Sequence, residues 1–234
     1  MDRVAIVIPT YEEGELLRST LCSIINNCST IPHDVYVVVD SVYDSSVNIV
    51  KNMSEQYKNI NLLVQNSKGA YKAIKYGVET TTAPFLIICT ADNTDDVKDI
   101  VKMYESFIDG YDYVIASRYI KGGSYSGGSK LKRALSLSAS KILEKRLGVI
   151  GSDPTNGFKG FSRKFYDQVH LSDSKGFTYG LQFLYFAIHL NSRIKVIPTA
   201  WQERSLGSSK FKVLYWMPSY LFWFLRVFFI LHRR

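Results

Sequence analysis

Five short apolar runs rich in β-branched residues, at 4–8, 35–39, 60–64, 85–88 and 113–116, recur through the first half of the chain with helix-length segments between them. This alternation marks β-α-β units, whose strands are buried on both faces and so read as continuous apolar runs. It predicts an α/β protein on a mixed, mostly parallel sheet. The intervening segments read as helices over 13–26, 45–57, 68–79 and 95–109, because apolar residues recur three and four apart, as in Val97, Ile100, Val101 and Tyr104.

Beyond residue 117 the pattern changes. Residues 121–129 hold four Gly and three Ser, a composition that predicts a mobile loop instead of a packed element. A basic helix is expected over 131–147, a strand over 157–161, an apolar helix over 179–190 and a strand over 194–197. With 46% hydrophobic and 21% charged residues in 234, the chain can bury a full core, which excludes disordered, collagenous and disulfide-stapled classes. Cys22, Cys28 and Cys89 have no C-x-x-C spacing, which fits a reducing compartment and argues against structural zinc. The start, Met1-Asp2-Arg3 followed at once by a β-like run, carries no secretory-signal pattern.

Open α/β sheets bind ligands outside the carboxyl ends of their strands. Each early run delivers polar residues to that edge: Pro9-Thr10-Tyr11-Glu12-Glu13, Asp40-Ser41, Thr90-Ala91-Asp92-Asn93-Thr94-Asp95-Asp96 and Ser117-Arg118. Asp44, Asp95 and Asp96 are equally readable as helix-start residues, and Tyr11 as a core aromatic. Charge is unevenly spread. Residues 1–117 hold 9 Lys/Arg against 16 Asp/Glu, whereas 118–234 hold 20 against 5. An acidic half suited to organising a cation thus adjoins a basic half suited to phosphates or an anionic surface, although a merely solvated basic face would look the same.

In these motifs, namely residues 7–13, Val37-Val38-Val39-Asp40, Lys68-Gly69 with Ala73 and Gly77, Ala91-Asp92, Ser117-Arg118-Tyr119 with Gly122-Gly123, residues 152–159, Gly176-Phe177, and 201–204 with 207–210, the chain resembles family-2 glycosyltransferases of GT-A fold, in particular the dolichol-phosphate mannose and polyprenyl-phosphate branch. The likeness covers about residues 3–212, an expected catalytic domain with a nucleotide-sugar half (1–117) and an acceptor half (118–212). It implies that Pro9, Tyr11, Glu13, Asp40 and Lys68 bind the nucleoside of the donor. Asp92, with Thr94 and Asp95, would hold Mg²⁺ or Mn²⁺. The family's Asp-x-Asp is here Thr90-Ala91-Asp92, and one carboxylate suffices where substrate phosphates supply other ligands. Further departures are Ser41, where a second aspartate is common, and Gln182, where the family often has Glu. Gln182 cannot ionise, which leaves Asp153 as the candidate acid or base or, alternatively, as an organiser of the acceptor-side loop.

The resemblance also assigns Arg118, Lys132, Arg133, Ser136, Arg204, Ser209 and Lys210 to the acceptor phosphate, with Asp92, Arg118, Asp153 and Arg204 as the catalytic set. A polyprenyl phosphate is already ionised near neutral pH, because the second pKa of a phosphate monoester is about 6. Such an acceptor needs oriented cations and no deprotonating base. The alternatives are a glycan-hydroxyl acceptor, for which Asp153 would be the base, and a non-catalytic nucleotide-sugar-binding module. Nucleic acid is not an expected partner, since the basic residues come without a nucleic-acid motif. Residues 213–231 carry eight aromatics and one charge, Arg226, and with Lys212, Arg233 and Arg234 at the ends they predict a tail (213–234) lying in a membrane interface. Pro218 and Arg226 weaken a spanning reading. The expected location is the cytoplasmic face of a membrane, peripheral or monotopic.

Overall fold

A computed structural model describes residues 2–148, 153–172, 178–204 and 213–230. Its first half runs β1 (Val4–Thr10), α1 (Glu15–Asn27), β2 (His33–Val39), α2 (Val47–Gln56), β3 (Ile60–Val64), α3 (Ala70–Thr80), β4 (Phe85–Ile88), α4 (Asp99–Ile108) and β5 (Tyr113–Ser117). There follow β6 (Ser124–Ser126), α5 (Lys130–Leu147), β7 (Lys159–Ser162), α6 (Arg163–Tyr166), α7 (Tyr179–His189), β8 (Ile194–Pro198), β9 (Ala200–Gln202) and α8 (Val213–Phe228).

Seven strands form one sheet in the order β3-β2-β1-β4-β7-β5-β8. All neighbours are parallel except β7, which is antiparallel to both β4 and β5. The central strands are buried on both faces, and successive residues serve two cores: Val4, Ile6 and Ile8 face one, Ala5 and Val7 the other. Helices α1, α2 and α4 cover the first face through Leu17, Leu21, Val50, Met53, Ile100 and Met103. The second is covered by α3, α5, α7 and α8 through Ile74, Val78, Leu143, Leu184, Trp223 and Val227.

Three sequence expectations are corrected. The glycine-rich stretch 121–129 is not loop throughout, because β6 within it pairs in parallel with β9, Tyr125 opposite Trp201. The strand expected at 157–161 lies at 159–162, with Lys159 opposite both Ile88 and Ile115. The helix expected from 95 begins at Asp99, because Asp95 turns back to accept hydrogen bonds from the Thr90 backbone (3.0 Å) and hydroxyl (2.7 Å) and closes a loop instead of opening a helix. Helix α5 is capped at both ends: Ser129 accepts from the Lys132 amide, and Gly148 ends the helix at φ 68°. The last helix packs on the sheet: its Trp223 and Val227, with Ile230 just after it, join the second core. Its 16 residues span about 24 Å at 1.5 Å each. Among the described residues no helix is long and apolar enough to cross a membrane.

Gly77 lets α3 lie close on the sheet. A Cβ there would stand 2.6 Å from Val7 Cγ1 and 3.0 Å from Val38 Cγ2. Overpacking of this kind costs roughly 1–3 kcal/mol. Gly77→Val should therefore lose stability of that order in urea unfolding, and an unchanged midpoint would contradict the close approach.

Candidate active site

The carboxyl ends of β1, β2, β4 and β5 open on one edge, and the polar residues after them are fixed by bonds between loops. Pro9 lies within β1 opposite Val38. Tyr11 is 55% exposed, which removes the core-aromatic reading. Glu12 has φ 52°, in the left-handed region that a side chain like Glu rarely occupies. It is held there by Asp44, whose Oδ2 accepts from the Glu12 amide at 2.9 Å, while the Ser46 hydroxyl accepts from the Glu13 (3.4 Å) and Gly14 (3.3 Å) amides. Asp44 also accepts from the Ser46 amide at 2.8 Å, so it joins the two loops as well as serving the start of α2. Asp40 accepts from Gln65 Nε2 at 2.5 Å and the Gly69 amide at 3.2 Å, which ties β2 to the segment carrying exposed Lys68.

After β4 the chain makes a second strained loop, with Asn93 at φ 56°. Thr94 Oγ1 donates to Asp92 Oδ1 at 2.7 Å. Asp92 Oδ2 accepts from Arg204 Nη2 at 2.8 Å, and the same nitrogen reaches both Glu13 carboxylate oxygens at 3.1 Å. Asp95 is buried, and burial pushes its carboxyl up to about 6 while the Thr90 hydrogen bonds oppose the rise. Asp96 accepts from the Lys98 amide at 3.2 Å in the turn leading to α4. Among the described residues no three His, Cys, Asp or Glu side chains gather as a metal cage. One half-buried carboxylate, Asp92, with the Thr94 hydroxyl behind it, fits a hard cation that brings phosphate oxygens of its own.

Arg118 forms the opposite wall. Its Nε (2.6 Å) and Nη2 (2.9 Å) fork onto the two oxygens of Asp153, which is fully buried, and Nη2 also reaches Thr155 (3.2 Å) and Ser136 (3.3 Å). Burial works against the guanidinium charge, and Asp153 more than offsets it. The rings of Tyr119, Tyr125 and Trp201 lie 5.3, 5.3 and 6.0 Å from the guanidinium carbon. The Arg133 guanidinium also lies over the Tyr125 ring, at 5.5 Å. Asp153 is thus locked in an ion pair, the geometry of a side chain that positions Arg118 and not of a free base. Gln182, also fully buried, is occupied by the Ser172 amide and hydroxyl at 2.9 and 3.2 Å.

A cavity of about 480 Å³ runs from this wall toward the helices. Thr90, Asp92, Arg118, Ser136 and Thr155 line its polar end, with Lys132 and Glu203 beside them. Leu135, Ala139 and Ile142 of α5 and Met217, Leu221 and Phe224 of α8 line its apolar end. Arg118, Lys132 and Ser136 therefore share one cavity with Asp92. Arg204 lies instead on the acidic side, against Glu13 and Asp92. Ser209 and Lys210 fall outside the described residues.

The chain matches the Glycosyl transferase family 2 domain over residues 5–169. It belongs to that family. A dolichol-phosphate mannosyltransferase of Pyrococcus furiosus is 26% identical over 90% of this chain, which spans 59% of that protein. A polyprenol monophosphomannose synthase of Mycolicibacterium smegmatis is 26% identical over 89% of this chain and 80% of its own length. Among solved structures, a mannosyltransferase from Pyrobaculum calidifontis, in complex with GDP-Man and Mn²⁺, aligns with TM-score 0.63 at 17% identity over 89% of this chain and 58% of that one. Glucosyl-3-phosphoglycerate synthase from Mycobacterium tuberculosis, in complex with Mn²⁺, UDP and glucosyl-3-phosphoglycerate, aligns with TM-score 0.71 at 13% identity over 99% of this chain and 82% of that one. The likeness in fold bears out the GT-A expectation for this family-2 glycosyltransferase.

Several supports of the site carry little sequence signal. Tyr125 sits in the glycine-rich stretch read as loop, and Thr155 is one hydroxyl in a turn. Lys159 is fully buried on β7, where its ammonium donates to the Asp153 carbonyl at 2.9 Å. Burial lowers it to about 7, with Asp153 opposing.

Two outcomes follow from these buried charges. Asp153→Asn leaves Arg118 buried without its counter-ion, a change that typically costs about 3–5 kcal/mol, readable in denaturant unfolding. A milder loss would mean that Arg118 escapes to solvent. Lys159 is protonated in the unfolded chain up to 10.5 but in the fold only to about 7, so its contribution to stability rises with pH across that window. The melting temperature of Lys159→Met relative to the native chain should accordingly be most favourable near pH 6 and worsen toward pH 9.5; a difference that ignores pH would remove this account.

Proposed function

We infer that this family-2 glycosyltransferase transfers a hexose from a nucleoside diphosphate sugar, GDP- or UDP-linked, to a polyprenyl phosphate at a membrane surface. The observation that carries the reading is the two-ended cavity, whose polar end holds a pre-positioned guanidinium and whose other end is lined by aliphatic and aromatic side chains. An acceptor with an anionic head and an apolar chain satisfies both ends. The relatives named for dolichol phosphate and polyprenol agree, and they make mannose the first sugar to test.

In this reading Tyr11, Glu13, Asp40 and Lys68 hold the nucleoside at the ends of β1 and β2 with Pro9, and Asp92 with Thr94 meets the diphosphate and its divalent cation. That cation, Mg²⁺ or Mn²⁺, offsets the charge that develops on the leaving diphosphate when bound. Arg118, held by Asp153 and Thr155, directs the acceptor phosphate together with Ser136, Lys132 and Arg133; Ser209 and Lys210, outside the described residues, are assigned to it by the family resemblance alone, whereas Arg204 stands on the donor side against Glu13 and Asp92. Arg118 is the first anchor to test, because Asp153 fixes its guanidinium in place while the side chain still lines the cavity. The phosphate oxygen attacks the anomeric carbon as an anion, the bond to the diphosphate breaks with its electron pair on the leaving oxygen, and the configuration inverts. No proton has to be removed from the nucleophile. A hydroxyl acceptor is less well supported, because it would need a base, Asp153 is held in an ion pair with Arg118 and Gln182 cannot ionise.

Attachment to the bilayer is supported by the apolar side chains that α5 and α8 leave in solvent. Leu131, Leu135 and Ile142 on α5, Leu221, Phe222 and Leu225 on α8 and Phe229 just after it are all at least 41% exposed, and some of them line the apolar end of the cavity. Exposure on this scale favours an interfacial position over a purely packed helix, with basic residues available to anionic headgroups. The unpaired cysteines accord with a cytoplasmic face.

Radiolabelled GDP-mannose and UDP-glucose, each with Mn²⁺ and a polyprenyl phosphate, should move label into the organic phase with one donor. Arg118→Ala should reduce that transfer at least a hundredfold, and label recovered only in water-soluble glycan would defeat the lipid-acceptor reading. Co-sedimentation with anionic vesicles should fall several-fold in Leu221→Asp/Phe222→Asp, and unchanged binding would place the membrane contact elsewhere.

A further inference from the structure

Arg204 is the least expected member of the site. One nitrogen, Nη2, touches three carboxylate oxygens on two different loops, those of Glu13 and Asp92, and the three side chains are only 11%, 12% and 20% exposed. A single positive charge thus sits between two negative ones, on the residues that the donor and its cation are inferred to use. Asp92 Oδ1 is engaged as well, by Thr94. Thr90 stands where the family often has another carboxylate, so little negative charge is left over to attract a second cation.

We propose that Arg204 is an internal competitor of the divalent cation at Asp92, which makes cation binding conditional on the nucleoside diphosphate. This rests on the donor reading above. A hydrated Mg²⁺ or Mn²⁺ arriving alone has to break charge-assisted hydrogen bonds and strand the guanidinium in a partly buried place. A nucleoside diphosphate changes the balance in two ways. Its phosphates supply oxygen ligands for the cation, and they give Arg204 another oxyanion to hold. The guanidinium then exchanges carboxylate partners for phosphate partners without losing its counter-charge. Arg204, which the sequence placed on the acceptor side, acts in this view as the link between donor loading and the segment that follows β9.

Mn²⁺ binding read by electron paramagnetic resonance tests this without turnover. The native chain should bind Mn²⁺ alone weakly and should gain at least tenfold in affinity when GDP or UDP is added. Arg204→Gln should bind Mn²⁺ alone at least tenfold more tightly than the native chain, with a reduced nucleotide effect, and Arg204→Gln/Asp92→Asn should lose that gain. Arg204→Lys, a smaller change should Arg204→Gln not fold, is expected to lie between, because an ammonium keeps the charge but not the planar fork. If Arg204→Gln, or Arg204→Lys in its place, binds Mn²⁺ alone no better than the native chain, the competition is absent. If neither nucleotide strengthens Mn²⁺ binding in any form, the donor reading fails, while the comparison in Mn²⁺ alone still decides whether Arg204 and the cation compete.

Discussion

One antiparallel strand determines how this site is assembled. Strand β7 lies between β4 and β5 and runs against both, with Lys159 in register with Ile88 on one side and Ile115 on the other. The chain just before β7 must therefore enter at the same edge where β4 and β5 leave. That places the turn with Asp153, Thr155 and Asn156 between the Asp92 loop and Arg118. Asn156 Nδ2 donates to the Ala116 carbonyl at 2.9 Å and Lys159 to the Asp153 carbonyl, so the turn is tied to β5 and to its own strand β7. Were β7 parallel, its preceding turn would lie at the far edge, and Arg118 would have no counter-ion.

The charges of this edge are organised as pairs across loops and not as separate acidic and basic fields. Arg118 from the basic half is neutralised by Asp153 of the same half, whereas Arg204 crosses to Glu13 and Asp92 of the acidic half. A buried ion pair contributes little net stability once desolvation is counted, but removing one partner is costly. These pairs consequently define position more than they add stability. The two arginines differ in what holds them. Arg118 is clamped by a forked carboxylate, two hydroxyls and three aromatic rings. Arg204 depends on carboxylates that a cation would also seek.

Apolar surface shows a similar economy. Helix α8 inserts Trp223 and Val227 into the second core while leaving Leu221, Phe222 and Leu225 outside, and with α5 it closes the apolar end of the cavity. A single helix thus completes a core, walls a groove and presents an apolar strip. Three roles in one element explain why its composition alone resembled a membrane segment.

Much of the architecture was legible in local sequence. Continuous β-branched runs with helical periodicity between them can be satisfied only by strands buried on both faces, and polar residues directly after such runs, Asp40, Asp92 and Arg118 among them, have to emerge at the carboxyl edge. Partnership was not legible. Asp153 read as well as a base as it did an organiser, until the antiparallel β7 brought it within 2.6 Å of Arg118 and removed it from solvent. Arg204 read as part of the acceptor side, yet 112 residues separate it from the Asp92 it binds. The strand in the glycine-rich stretch was invisible too, because its partner β9 lies some seventy-five residues later and supplies the pairing that its own composition does not. Local propensity and hydrophobic period act over a few residues, so they determine elements and the edge at which side chains appear; which charge meets which is decided by strand order, and strand order exists only once the sheet has formed.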